Sequence, residues 1–443
     1  MIHMCCKRPI VHILLVLFIF LIIPVAARQK KPVTAQQGKS VTEARNWYDG
    51  FMFNDKSYTF EFIRVLGASA GGGSDLGECI ETARHICDGD DESWYREWMK
   101  RADRLYEMAQ KWEKEGHTVS ARKTYLRACN YYRSASFYMD EPEKRALAVA
   151  AWKRSRECFL SAISSFPYVK SVRIPYESTT LPGYYIICSD KAEKHPLLII
   201  QTGFDGTGEE LFFGYVAGAR ERGYDCLIFE GPGQGEPLRL QNLHFRHDWE
   251  HVVTPVVDYA LTLPGIDRQR IALMGLSFGG YLAPRAAAFE HRLKACIANG
   301  GVYSFAETMV SKMPADFCRL IETDPDRFNR ELQEGIKHNP NARWGVNNGM
   351  WTFGAQSPAE YYRKVKPYTL ENVAGRITCA TLVLDSEDDI FMQGQAEKLY
   401  KALNCPKSFY RFTREETAQA HCQMGATGIS EAVIFNWLDQ VLK

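Results

Sequence analysis

Ile271-Ala272-Leu273-Met274-Gly275-Leu276-Ser277-Phe278-Gly279-Gly280-Tyr281 is the stretch on which the reading of the fold turns. Its first four residues are apolar without a break, the pattern of a strand covered on both faces. The run from Tyr281 to Ala288 is a good helix former with an alanine-rich face. Between them the chain must turn sharply from strand to helix at Gly275-Leu276-Ser277-Phe278-Gly279. Such a turn strains the serine backbone and pushes the hydroxyl into the open; the flanking glycines leave room for it, and Gly280 lets the helix approach the sheet. Ser277 is therefore a candidate nucleophile, set against the plainer reading of a Gly-Ser turn.

The same five-residue pattern occurs once more, as Gly67-Ala68-Ser69-Ala70-Gly71. It runs into Gly72-Gly73-Ser74-Asp75, which does not begin a helix, and it reads as a flexible loop. Context, not the pattern, separates the two.

Outward from Ser277, short apolar runs alternate with helical stretches: Leu197 to Thr202, Tyr224 to Phe229, Leu293 to Ala298 and Ala380 to Leu384. Val169 to Tyr176 and Leu181 to Cys188 read as a strand pair ahead of them. Strands apolar on both faces and separated by helices predict an α/β fold with a mostly parallel sheet and helices on both faces. The stretch from about 305 to 370, rich in polar and aromatic residues, is too long for a connecting loop and is expected to form a cap over residues 167–443.

Residues 42–166 read as a separate helical domain. After Ser93, a plausible N-cap, Trp94, Trp98, Ala102, Leu105, Ala109 and Trp112 follow the 3.6-residue period up to Gly116. A second helix begins near Thr118, and Asp140-Glu141-Pro142 opens a third. This hairpin is similar to one tetratricopeptide unit, but no second copy follows at a fixed period.

Ahead of the helices, Lys7 and Arg8 precede an apolar run from Ile10 to Ile23 and the small residues Ala26 and Ala27. The run has the length of a signal peptide and falls short of the roughly 20 residues of a spanning helix. Residues 1–27 are expected to be a cleaved signal or, extended to Ala27, an N-terminal membrane anchor, and residues 28–41 a tether. The expected location is thus secreted, periplasmic or otherwise extracytoplasmic, with membrane association only if the segment is uncleaved.

Composition narrows the class. The 443 residues carry 54 basic against 53 acidic side chains, 46% apolar and 24% charged, which excludes wholesale disorder and a multi-span membrane protein. A net charge of +1 without a basic block gives no footprint for nucleic acid. Of thirteen cysteines, Cys5 and Cys6 fall in the first segment. Cys226, Cys296 and Cys379 fall on expected core strands as small apolar residues, and Cys79 with Cys87 is the one pair that suits a disulfide.

A nucleophilic serine needs a base and an acid. Beyond Leu384 one histidine remains, His421, between a strand-like stretch at Ser408 to Phe412 and a final helix from about Ile429. The acid must come from Asp385, Glu387, Asp388 or Asp389; a carboxylate about five positions past the last core residue selects Asp389, with Asp388 second. Its task is to fix the imidazole tautomer and stabilise the imidazolium. Two backbone N–H groups should receive the developing oxyanion: that of Phe278, following the nucleophile, and that of Phe204 in the turn Gly203-Phe204-Asp205-Gly206. Each such donor is typically worth roughly 2.7–4 kcal/mol in the transition state. Asp205 in that turn is a candidate substrate contact. No metal site or cofactor is expected.

Glu230-Gly231-Pro232-Gly233-Gln234-Gly235-Glu236, the Ser277 elbow, His421-Cys422-Gln423 and the helical run Tyr125 to Arg133 together are similar to a group of α/β-hydrolases. That group includes the fungal yellowish-green-type pigment polyketide-shortening hydrolase and bacterial 2,6-dihydroxypseudooxynicotine hydrolase. The resemblance runs from about Asn46 to the C-terminus, with Ser386 departing from the glycine that many hydrolases place before the acid. It implies an N-terminal helical lid over the serine, a site between two domains and a homodimer. It also implies cofactor-free hydrolysis of a small molecule, in some relatives of a carbon–carbon bond beside a ketone. An extra acid from lid or cap could assist, with Glu78 and Glu307 as candidates.

Three functions compete. The first is a serine hydrolase of a small acyl, ester or ketone substrate, such as a β-diketone or polyketide-like compound. The second is a peptidase, because Gly-Leu-Ser-Phe-Gly-Gly-Tyr also resembles the prolyl-oligopeptidase elbow, although the repeated short strands of a propeller are missing. The third is a ligand-binding protein on a hydrolase scaffold.

Overall fold

The apolar runs become the centre of one eight-stranded sheet. In the computed structural model, which describes residues 46–190 and 193–442, the strands are β1 (Val169–Tyr176), β2 (Thr179–Ile186), β3 (His195–Gln201), β4 (Asp225–Phe229), β5 (Ile266–Leu276), β6 (Ala295–Asn299), β7 (Ala380–Ser386) and β8 (Lys407–Phe412). Their order is β1-β2-β4-β3-β5-β6-β7-β8. β1 pairs antiparallel with β2, β2 pairs antiparallel with β4, and all later neighbours are parallel. The expected signal or anchor (1–27) and tether (28–41) lie outside the described residues. Among the described residues no helix is long and apolar enough to cross a membrane.

The two-residue period of a strand explains why β3 is apolar without a break from Leu197 to Ile200. Leu198 and Ile200 enter a core with Cys226, Ile228, Ala272 and Met274 on one face. Leu197 and Ile199 enter a second core with Leu227 and Leu273 on the other. All four β3 side chains are fully buried. Two cores require two helical covers, and the chain supplies them.

One cover comes largely from the N-terminal helices α1 (Lys56–Gly67), α2 (Leu76–Ala83), α3 (Asp91–Lys114), α4 (Thr118–Ser136) and α5 (Arg145–Ile163). The cap of α3 is Asp90 rather than Ser93: Asp90 Oδ1 accepts from Glu92 N and Ser93 N, both at 3.1 Å. Ser93 lies one turn in, where its hydroxyl accepts from Cys87 N at 2.7 Å. The third long helix begins at Arg145, after a turn containing Pro142. Cys79 is a buried thiol beside the Tyr131 hydroxyl, not half of a Cys79–Cys87 disulfide.

Gly67 to Gly71 is likewise not a flexible loop. Gly67 ends α1, Ala68–Gly71 continue it as a 3₁₀ turn, and a Cβ on Gly71 would stand 2.2 Å from the Phe213 carbonyl oxygen. The glycines there serve close packing; Ser69 points outward, exposed.

The remaining helices link the strands: α6 (Gly208–Glu221), α7 (Gly235–Gln241), α8 (Glu250–Ala260) and α9 (Gly279–Ala287). Between β6 and β7 come α10 (Phe305–Val310), α11 (Ala315–Thr323), α12 (Pro325–Ile336), α13 (Pro340–Thr352) and α14 (Pro358–Val365), where the cap was expected; α15 (Gln395–Ala402) and α16 (Thr427–Val441) follow. An isolated bridge between Ser304 and Thr369 closes the base of this five-helix insertion.

Candidate active site

Strand β5 ends at Leu276, and Ser277 follows with φ +60°, a left-handed conformation that costs a serine ~1–3 kcal/mol. The turn is closely packed. A Cβ on Gly275 would meet the Gly279 carbonyl oxygen at 2.0 Å, and one on Gly280 would meet that of Gly300 at 2.2 Å. Ser277 N donates to Asn299 O at 2.8 Å, and Gly280 N to Ser277 O at 2.7 Å. The hydroxyl is thereby presented at the carboxyl ends of the parallel strands.

His421 and Asp389 meet it there. Ser277 Oγ lies 2.8 Å from His421 Nε2, and His421 Nδ1 lies 2.7 Å from Asp389 Oδ2. The other Asp389 oxygen accepts from Phe391 N and Met392 N, both at 2.8 Å. Burial raises the Asp389 pKa, but the His421 charge and these donors outweigh it, so the carboxyl stays below its ordinary range. For His421, burial lowers the pKa and the Asp389 carboxylate more than restores it, holding the imidazole well above 6.5. The other carboxylates of the loop are occupied elsewhere: Asp388 with Arg414, Asp385 with Arg411, and Glu387 with Arg414 N.

The His-Cys-Gln run has a structural reason. Cys422 and Gln423 both have positive φ, which turns the chain tightly behind His421. The Cys422 thiol packs 3.5 Å from His421 Nε2 and from Asn299 O. Gln423 Nε2 donates to Ser386 Oγ at 3.0 Å, and its Oε1 accepts from Ser430 Oγ at 2.9 Å. Ser386, the departure from glycine, thus ties the acid loop to the histidine turn.

The turn after β3 backs onto Ser277. A Cβ on Gly203 would stand 2.7 Å from Phe278 N and 3.0 Å from Ser277 Cβ. Gln234, from the Gly-Pro-Gly-Gln-Gly run, donates through Nε2 to Thr202 O at 2.8 Å and Gly203 O at 3.1 Å. Asn348 Nδ2 of the insertion donates to Phe204 O at 3.2 Å. Among the described residues, the N–H groups of Phe204 and Phe278 have no protein acceptor. A tetrahedral oxyanion on Ser277 can use such donors.

Ser277 opens into a cavity of about 310 Å³. Its wall is mostly apolar and aromatic: Phe60 of α1, Leu211, Phe213 and Tyr215 of α6, Phe305 and Met309 of α10, Trp344 of α13, and Phe391 and Met392 beyond Asp389. One part is charged. Arg64 of α1 donates to Glu210 through Nε (2.5 Å) and Nη2 (2.7 Å), and to Asp205 through Nη1 (2.5 Å). Arg133 donates to Glu210 at 2.7 Å and approaches Glu61 at 3.5 Å. Burial pushes the Glu61 carboxyl up to about 7 despite the two arginines. Glu210 is also pushed up by burial, but Arg133 and Arg64 dominate and bring it down to about 2.

Asp205, a candidate substrate contact, lines the cavity and is bound to Arg64. Glu78 and Glu307 do not line it. Glu78 is paired with Arg127 (2.9 Å) and Tyr131 (2.8 Å) within the helical layer, and Glu307 is exposed and paired with Lys398. Both are acids satisfied by neighbouring donors. The carboxyls that do reach the cavity, Glu61 and Glu210, were missed; the available signal was a lone Glu and Arg inside the apolar run Phe60 to Val65.

Among the described residues, Cys188, His195 and Asp225 bring ligand-type atoms within 4.8 Å of one another and could hold a divalent cation. Asp225 also accepts from Cys188 N (2.8 Å) and Tyr185 OH (2.6 Å). The cluster lies at the starts of β3 and β4, the opposite end of the sheet from Ser277.

Sheet order, elbow and histidine turn define an α/β-hydrolase, and the comparisons agree. The model of the family described as "Esterase FrsA-like" matches residues 84–316. Hydrolase acrC of Aspergillus aculeatus is 34% identical over 412 residues, 86% of this chain and 96% of that protein. The 20-hydroxy-prefusarin hydrolase FUS2 of Gibberella moniliformis is 33% identical over 407 residues, 88% and 97% of the two chains. The crystal structure of 2,6-dihydroxy-pseudo-oxynicotine hydrolase shares the fold, with a TM-score of 0.67 at 21% identity over 85% of this chain and 95% of that one. The chain belongs to the FrsA-like esterase family of α/β-hydrolases, and is a hydrolase.

Proposed function

We propose that this is a serine hydrolase acting on a small apolar or aromatic acyl compound, an ester or a β-diketone. The observation that carries the reading is His421 seated between Ser277 and Asp389, at 2.8 and 2.7 Å, beside the apolar cavity.

Ser277 Oγ attacks the substrate carbonyl carbon as His421 Nε2 takes the hydroxyl proton, and Asp389 stabilises the imidazolium through Nδ1–H. The carbonyl oxygen becomes an oxyanion held by the N–H groups of Phe204 and Phe278. Collapse breaks the bond to the leaving group. In an ester that group is an alkoxide; in a β-diketone it is a carbanion stabilised as the enolate of the second ketone. The imidazolium returns the proton to it. Water, deprotonated by His421, then attacks the acyl-serine carbonyl; collapse breaks the bond to Ser277 Oγ, which takes the proton back from the imidazolium, and a carboxylic acid leaves. Relatives named as hydrolases, one of them of 20-hydroxy-prefusarin, support a small-molecule substrate.

Incubation with p-nitrophenyl butyrate, 1-phenylbutane-1,3-dione and a proline-containing peptide, with products read by mass spectrometry, tests the reading. Turnover of the ester or the diketone, lost in Ser277→Ala, is expected. Cleavage of the peptide alone would favour the peptidase. No turnover by folded protein, or full activity in Ser277→Ala, would defeat the assignment. The helices ahead of the sheet, in place of propeller blades, weigh against the peptidase. Export remains our reading of the N-terminal segment, and N-terminal sequencing of the mature protein checks it.

A further inference from the structure

The turn that carries Phe204 is fastened from three separate parts of the chain. From the core, Gln234 holds the carbonyls of Thr202 and Gly203. From the insertion, Asn348 holds the carbonyl of Phe204. From the N-terminal helices, Arg64 holds the side chain of Asp205 and, with the rest of its guanidinium, Glu210 in the first turn of α6, the helix into which the turn leads. One planar, five-donor group thus bridges the turn and the helix after it, a geometry that lysine cannot copy. The ion pairs are enclosed: the Arg64 side chain is 9% exposed, Asp205 16% and Glu210 19%.

We infer that Arg64 is a positioning residue for the oxyanion hole: through Asp205 it fixes the Phe204 N–H, so that the N-terminal helices complete the catalytic site as well as cover it. The inference rests on the serine-hydrolase reading above. An oxyanion donor acts through preorganisation, and a displacement of about 1 Å can cost on the order of 10²-fold in rate. Phe204 has no side-chain anchor of its own to the nucleophile. Its ring packs on Phe278, Phe305, Trp344 and Phe353, and that apolar contact sets the ring rather than the direction of the N–H. Asn348 is the corresponding tether from the insertion.

The test uses the full chain and an alkyl fluorophosphonate, whose phosphoryl oxygen takes up negative charge as Ser277 attacks. Saturation kinetics separate reversible binding (KI) from the covalent step (kinact) for wild type, Arg64→Met, Arg64→Lys, Asp205→Ala, Asn348→Ala and Arg64→Met/Asp205→Ala. For Arg64→Met and Asp205→Ala, kinact is expected to fall about 10- to 100-fold. KI should stay near the wild-type value, and the pH midpoint of labelling, set by His421, should not move. Arg64→Lys recovers part of the rate, and the double variant is no slower than the slower single one, because both substitutions remove the same tether.

If Arg64→Met does not fold, Asp205→Ala, which leaves Arg64 on Glu210, and Asn348→Ala carry the test. Folded variants labelled at the wild-type rate, additive losses in the double variant, or a loss confined to KI would overturn the inference and leave the serine reading intact. Wild-type protein that is folded and unlabelled at Ser277 would overturn that reading itself.

Discussion

Ser277 stands with φ +60° and its Oγ 2.8 Å from His421 Nε2. The two residues are 144 positions apart, and the strain is local to the serine. It is held by close packing of the turn between β5, α9 and Gly300.

Gly275→Ala tests that enclosure. Its Cβ would lie 2.0 Å from a backbone oxygen and 3.0 Å from Ala283 Cβ, so the elbow must open. The substitution should destabilise the protein by at least ~1–3 kcal/mol and lower activity more than stability alone explains. Calorimetry and turnover on one preparation check this.

Gly203→Ala should act on the oxyanion hole. The new methyl would press on Phe278 N at 2.7 Å, displacing a donor while leaving His421 and Asp389 in place. A loss of about 10²–10³ in kcat with little change in KM is expected, measured by steady-state kinetics.

The pH dependence has a definite sign. The proposed mechanism needs neutral His421, whose pKa is held above 6.5 because Asp389 outweighs burial. Activity should therefore fall as pH drops through a midpoint above 6.5. Asp389→Asn should cost roughly 10⁴ in kcat and move the midpoint of the residual activity downward, since it removes the carboxylate charge that most strongly opposes burial at His421. A pH–rate profile of both proteins decides it.

Glu61 makes stability pH-dependent in the opposite direction from an ordinary carboxylate. Burial raises its folded pKa from 4.5 to about 7, so the folded state holds a proton that the unfolded chain releases. Stability is then greatest below about pH 4.5 for this group and is lost as pH rises through 7. Glu230, also raised to about 7 by burial, adds in the same sense. Glu210, brought down to about 2, contributes stability above 4.5 that is lost on acidification. Between pH 5 and 8 the melting temperature should fall, and Glu61→Gln should flatten that slope by on the order of 1–3 kcal/mol.

Local chemistry made the scaffold readable. The β5 elbow, the apolar strands, and a single histidine after Leu384 are signals carried by neighbouring residues, and each is close to where the structure puts it. Asp389 stood out by its distance past the last core residue of β7; what sets it apart from Asp388 is that Arg414 draws Asp388 outward. The charged wall of the cavity was not readable, because Arg64 meets Asp205 and Glu210 across 141 and 146 residues. Glu78 and Glu307 misled for the same reason: their partners, Arg127 and Lys398, are brought to them by packing. Gly67 to Gly71 looked like a loop because its role, contact with Phe213, belongs to another helix.

The most direct measurement is a peptide map of the fluorophosphonate-treated protein by tandem mass spectrometry, beside Ser277→Ala. The account predicts one adduct, on Ser277, absent from the variant, with Ser69 of the second Gly-x-Ser-x-Gly unmodified. Folded protein carrying no adduct, or an adduct that persists in Ser277→Ala, would contradict it.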